Sequence, residues 1–133
     1  MCMADDADCS VPLQQLYPRA RKAHRCGECF RTIEPGEKYV VHKTLFEGSV
    51  SVNKLCAHCD VAREWLGDNC GGWLYGGVWE DIDQHVDEYR GVYPKVARAL
   101  KRLSVWAARD WRVARGPRAG SLLPVPALPP IVQ

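Results

Sequence analysis

CGECFRTIEPGEKYVVHKTLFEGSVSVNKLCAHC, residues 26–59, decides the fold. It opens and closes on a Cys-x-x-Cys pair, Cys26/Cys29 and Cys56/Cys59, with 26 residues between the pairs. Two cysteines at this spacing can point both sulfurs at one ion when the backbone turns tightly, and Gly27 eases such a turn in the first pair. The intervening segment reads as a hairpin. EKYVVHKTLF (37–46) is rich in β-formers, Glu47-Gly48 breaks it, and SVSVNKL (49–55) resumes it with Val50 and Val52 alternating against serines. The second strand runs directly into Cys56, and DVAREWL (60–66) then has helical spacing up to Gly67, where the helix is expected to stop.

Knuckle, hairpin, then a helix carrying the second ligand pair is the treble-clef arrangement, and four thiolates are a closed structural set for Zn²⁺. The expected metal ligands are therefore Cys26, Cys29, Cys56 and Cys59, holding one structural zinc ion. Such a site carries two net negative charges, which Arg25, Arg31, Lys54 and His58 lie close enough in sequence to offset. Two disulfides or four free thiols are the alternatives, and His58 offers a substitute ligand. Cys2 and Cys9 read as spare thiols, and Cys70 as a small residue packed beside aromatics.

Outward from this stretch, residues 1–16 are acidic, small and without period, and read as a flexible N-terminus. Residues 17–69 form the zinc module. Residues 70–115 read as an aromatic connection and a helical pair packed on that module. The first helix spans 78–89 with Val78, Ile82, Val86 and Tyr89 on one stripe. The second opens at Pro94 and runs to about Arg115 with Val96, Leu100, Leu103, Ala107 and Trp111 as its stripe. Residues 116–133 contain five prolines and read as a flexible tail. The expected class is α+β: a small zinc-bound treble-clef-like module, two amphipathic helices and a proline-rich tail.

A net charge of +2 does not by itself argue for nucleic acid, but its distribution is uneven. Glu80 to Glu88 holds five acids and no Lys or Arg, while Lys95 to Arg118 holds eight bases and one acid. The two helices either neutralise each other or leave a basic face carrying Arg98, Arg102 and Arg109. The first ten residues lack an apolar h-region and no run reaches the about 18 apolar residues of a membrane span. The chain is thus expected in the cytoplasm, away from membranes, where paired cysteines hold metal rather than form disulfides.

No catalytic residues are expected. His42 on the hairpin and Asp60 and Glu64 on the helix are a thin basis for a nuclease, because the helix lacks a histidine or asparagine for a second metal. Asp83 and His85 read as a solvated helix face. The segments C-G-E-C-F-R-T-I-E-P-G-E-K-Y, K-L-C-A-H-C-D-V-A-R-E-W-L and C-G-G-W-L-Y-G-G-V-W-E-D-I together resemble a group of small uncharacterised zinc-finger proteins of bacteriophages and prophages, over about residues 24–85. The resemblance implies zinc binding and a phage-related setting. It departs at Phe30, where a knuckle often has glycine. The leading functional expectation is a non-enzymatic interaction module that binds a bacterial host protein, with Trp73, Tyr75 and Trp79 as candidate anchors beside the three arginines. A nucleic-acid-binding regulator and a component of a virion or larger assembly are the alternatives.

Overall fold

The computed structural model describes residues 11–70, 73 and 75–128. The spare thiols at Cys2 and Cys9 and the last five residues of the tail lie outside them.

The fold is α+β. Strand β1 spans Val11–Leu16, β2 His24–Arg25, β3 Thr32–Ile33, β4 Tyr39–Phe46 and β5 Ser49–Cys56. Helices follow at α1 Ala57–Cys70, α2 Val78–Tyr89 and α3 Pro94–Ala107. The strands form an antiparallel sheet in the order β1-β4-β5 and a separate pair β2-β3. The hairpin β4–β5 is in the expected register, with Phe46 opposite Ser49 and Tyr39 opposite Cys56. Its two-residue connection places Glu47 and Gly48 at φ 50° and 80°. Positive φ at both central residues is the twist that suits a two-residue hairpin, and Gly at the second adopts it without strain.

Four elements differ from expectation. The N-terminal region expected to be flexible to residue 16 supplies β1, which pairs with β4. The bare acidic composition of residues 1–10 hid the alternation of VPLQQL. Helix α1 begins at Ala57 and passes through Gly67 instead of stopping there. A lone glycine weakens a helix by only about 1 kcal/mol, which the packing of Trp65 and Leu66 in the core outweighs. Helix α3 ends at Ala107 rather than near Arg115, because Asp110 and Trp111 turn to φ 56° and 59°. Finally, the described part of the proline-rich segment is laid against the core: Arg112 bridges Leu122, Leu123 N–H donates to the Trp111 carbonyl, and Leu122 and Leu128 pack on buried residues.

The core has two lobes. One gathers Ile33, Val40, Leu55, Leu103, Ala107 and Trp111 around the cysteines. The other gathers Ala62, Trp65, Leu66, Val78, Ile82, Val96 and Leu100 among the helices. Trp79 and Leu128 pack against both. The stripes of α2 and α3 are as expected, except that Tyr89 is half-buried, His85 is fully buried and Trp111 reaches the core from the turn after α3. His85 lies inward because its Nδ1 bonds the Asp81 carbonyl at 2.8 Å and its ring meets Trp65 edge-on.

Candidate metal centre

Strands β2 and β3 are the two arms of the first knuckle. Between them Cys26 N–H donates to the Arg31 carbonyl and Phe30 N–H to the Cys26 carbonyl, which closes a tight turn over CGECFR. Phe30 takes φ 64°, the left-handed conformation that glycine would adopt freely, and the residue is 58% exposed. A bulky residue there costs about 1 kcal/mol or more. The knuckle is held on the hairpin by Gly27 N–H to the Lys54 carbonyl at 2.8 Å, an approach in which a Cβ on Gly27 would come within 3.3 Å of that oxygen. The second pair sits where β5 becomes α1, with Cys59 in the first helical turn.

These elements bring the sulfurs of Cys26, Cys29, Cys56 and Cys59 within 4.8 Å of one another. Cys29 and Cys56 are 3.9 Å apart. Tetrahedral Zn²⁺ with Zn–S near 2.3 Å requires sulfurs about 3.8 Å apart, a spacing that the Cys29–Cys56 pair already has and that the whole quartet lies close to. Among the described residues this is the one group of three or more cysteine, histidine and carboxylate side chains that converges in this way. Three of the four cysteines are buried.

The surroundings favour thiolate. Cys26 Sγ accepts from the backbone N–H of Glu28 and Cys56 at 3.4 and 3.3 Å, and Trp79 Nε1 donates to Cys59 Sγ at 3.3 Å. Without a cation the four thiols must divide their charge unequally: hydrogen bonds from Cys29, Cys56 and Cys59 pull Cys26 down, while burial and then its sulfur neighbours push Cys59 up. A bound dication removes that conflict by stabilising all four thiolates together. When present, zinc supplies a cross-link between knuckle, strand and helix.

Of the four cations expected to offset the charge, Arg31 is the one buried beside the site. Burial opposes its charge, but a two-pronged ion pair to Glu37, at 2.7 and 3.1 Å, and the neighbouring Cys56 outweigh it and raise its pKa. Lys54 turns to His24, with Nζ 3.3 Å from Nδ1, and Arg25 is exposed. His58 is not a ligand. Its Nδ1 accepts from Arg31 at 3.4 Å, its Nε2 donates to the Leu123 carbonyl at 2.6 Å, and its ring lies 5.2 Å from Trp111. It therefore ties the C-terminal segment to the metal centre.

Glu28, between the first two ligands, is a residue that sequence reasoning passed over. It is buried, and its carboxylate receives Gly76 N–H at 2.7 Å and Val78 N–H at 3.1 Å. It thereby caps α2, whose own N-cap Gly77 has no side chain to offer. Burial pushes its pKa up to about 7, against the pull of the two amides. Glu28→Ala would leave the buried Val78 N–H and the more exposed Gly76 N–H without this acceptor, so a loss of about 1–3 kcal/mol is expected in urea denaturation of the zinc-loaded chain, with zinc content unchanged.

The candidate interaction residues divide. Arg98, Arg102 and Arg109 are exposed, and α3 meets the acidic α2 through apolar packing and a Ser104–Asp83 hydrogen bond at 2.6 Å. Trp73, Tyr75 and Trp79 are half-buried against the chain's own core. Trp73 carries the Arg63 guanidinium over its ring at 5.1 Å, and Tyr75 hydrogen-bonds His42. Arg63 is itself buried and paired to Asp60 at 2.5 Å, while its neighbour Glu64 stays exposed. His42 and Asp60, weighed above as nuclease-like residues, are thus engaged by Tyr75 and Arg63. Cys70 is half-buried against the helical lobe, which Trp73 also packs on, as expected of a small residue packed beside aromatics. No family model, no curated protein and no solved structure matches the chain.

Proposed function

We propose that the chain is a non-enzymatic structural-zinc module of treble-clef type whose business is to bind a bacterial protein, in the phage or prophage setting that the sequence resemblance implies. The observation that carries this reading is the donor set: four cysteine sulfurs fill a tetrahedral zinc and leave no position for substrate or water. A metal so enclosed shapes a surface and does not perform chemistry. No helix among the described residues is long and apolar enough to cross a membrane, which is compatible with a partner met in solution.

A second reading has one observation in its favour. Arg98, Arg102 and Arg109 stay exposed beside the acidic helix, so their charges remain available to phosphates. Capture from bacterial lysate on the zinc-loaded chain, with Cys59→Ser as control, should retain a specific protein only with the intact site. If nucleic acid is the ligand, affinity instead falls by about 10³ or more between 50 and 200 mM salt when six or more phosphates are contacted. Replacing the three arginines by alanine would then weaken binding to all sequences alike. Capture that is the same for Cys59→Ser overturns the zinc-dependent protein reading, and a flat salt dependence overturns the nucleic-acid one.

A further inference from the structure

The two edges of the three-stranded sheet are built differently. The β1 edge carries Pro12 and a register shift between Pro12 and Gln14. Both are devices that stop further strands from adding. The β5 edge carries neither: Ser49 to Lys54 has no proline, no glycine and no bulge. Its first four residues are exposed, with Val50 and Val52 61% and 54% accessible.

Hairpin geometry says which backbone groups face outward. In a two-residue hairpin the residues flanking the turn, Phe46 and Ser49, exchange both hydrogen bonds, and the pairs alternate from there. Ser49, Ser51, Asn53 and Leu55 therefore bond inward to β4, while Val50, Val52 and Lys54 direct N–H and C=O away from the sheet. The Lys54 carbonyl meets that expectation, since it is the one Gly27 N–H occupies. Among the described residues, no backbone hydrogen bond is made at the outward groups of Val50 and Val52.

This free stretch is complementary to itself. If two copies pair antiparallel about a two-fold axis at Ser51, Val50 of one copy lies opposite Val52 of the other, and each such pair exchanges both N–H···O bonds. The valine side chains then meet on one face as cross-strand β-branched pairs, next to Leu45 and Lys43, while Ser51 meets its own copy on the other face. The charges also match. In the same register the partner's turn, with its exposed Glu47, falls beside Lys54. The pairing stops there of its own accord, because Gly27 already covers the edge.

We infer that β5 is a self-association edge, through which two copies join their sheets into one continuous antiparallel sheet with Val50 and Val52 at its centre. This surface is separate from the proposed partner-binding function and does not depend on it. The strip is shorter than the about 1,200 Å² of a stable interface, so the dimer is weak, with a Kd of about 10 µM to 1 mM.

Sedimentation equilibrium on the zinc-loaded full chain, from micromolar to millimolar, tests this. A monomer–dimer isotherm is expected. Val52→Pro removes an N–H that the monomer does not use and should abolish the dimer while zinc content and circular dichroism stay unchanged. Should that variant misfold, the charge pair decides: Glu47→Lys places like charges beside Lys54 and weakens association about threefold to tenfold, and Glu47→Lys with Lys54→Glu restores it. A chain that remains monomeric up to about 1 mM overturns the inference. So does a dimer unaffected by a folded Val52→Pro, or one whose double charge swap fails to rescue.

Discussion

Stripping the metal from the zinc-loaded chain with a chelator is expected to unfold it. The four sulfurs lie at the centre of the larger lobe, where Cys26, Cys56 and Cys59 have no solvent exposure. They join the knuckle, the end of β5 and the first turn of α1. Structural zinc contributes about 10 kcal/mol or more of apparent binding free energy, and much of that is folding free energy in a chain this small. Without the ion, four thiols must share one buried space. Cys26→Ser and Cys59→Ser should each reproduce the collapse, read as lost dispersion in a proton NMR spectrum and loss of close to one zinc per chain. A dispersed spectrum in excess chelator would refute a structural role for the quartet.

The second large effect is expected at Trp111. Its side chain is fully buried, 5.6 Å from the Trp79 ring and 5.2 Å from His58, and its backbone carbonyl holds Leu123. Trp111→Ala would open a cavity where the zinc lobe, α3 and the C-terminal segment meet, and about 3–5 kcal/mol of stability should be lost in denaturant titration. The indole Nε1 is buried and has no hydrogen-bond partner among the described residues. Trp111→Phe removes that orphan donor along with part of the ring, so it should cost well under half as much. An equal loss for both variants would mean that the indole edge, and not the filled volume, matters there.

Legibility followed how local the determining physics is. The cysteine cluster could be read because two residues between cysteines already fix a chelate geometry, and the hairpin because alternation and a Glu-Gly turn act over neighbouring residues. The stripes of α2 and α3 were visible for the same reason. What escaped depends on residues far apart in the chain. Glu28 looks like a spacer until the turn before α2 arrives 48 residues later to be capped. His58 looks like a spare ligand until Leu123 reaches its Nε2. Gly67 reads as a stop signal, yet core packing of Trp65 and Leu66 carries the helix through it. Nothing local in the sequence marks Arg63 for burial, because one of the groups that receive it, the Trp73 ring, comes ten residues later. The prolines of the last segment rule out a helix or a central strand, but they do not prevent a single extended pass over a core.

The tie between His58 and Leu123 has a consequence for synthesis. All four ligands have left the ribosome once Cys59 is clear, while the residue whose carbonyl bonds His58 is 64 positions further on. At about 5–20 residues per second the nascent knuckles have several seconds in which the metal can enter from the open side. Loading can then come first and the His58–Leu123 tie second, so the last contact made around the metal centre is one that contributes no ligand.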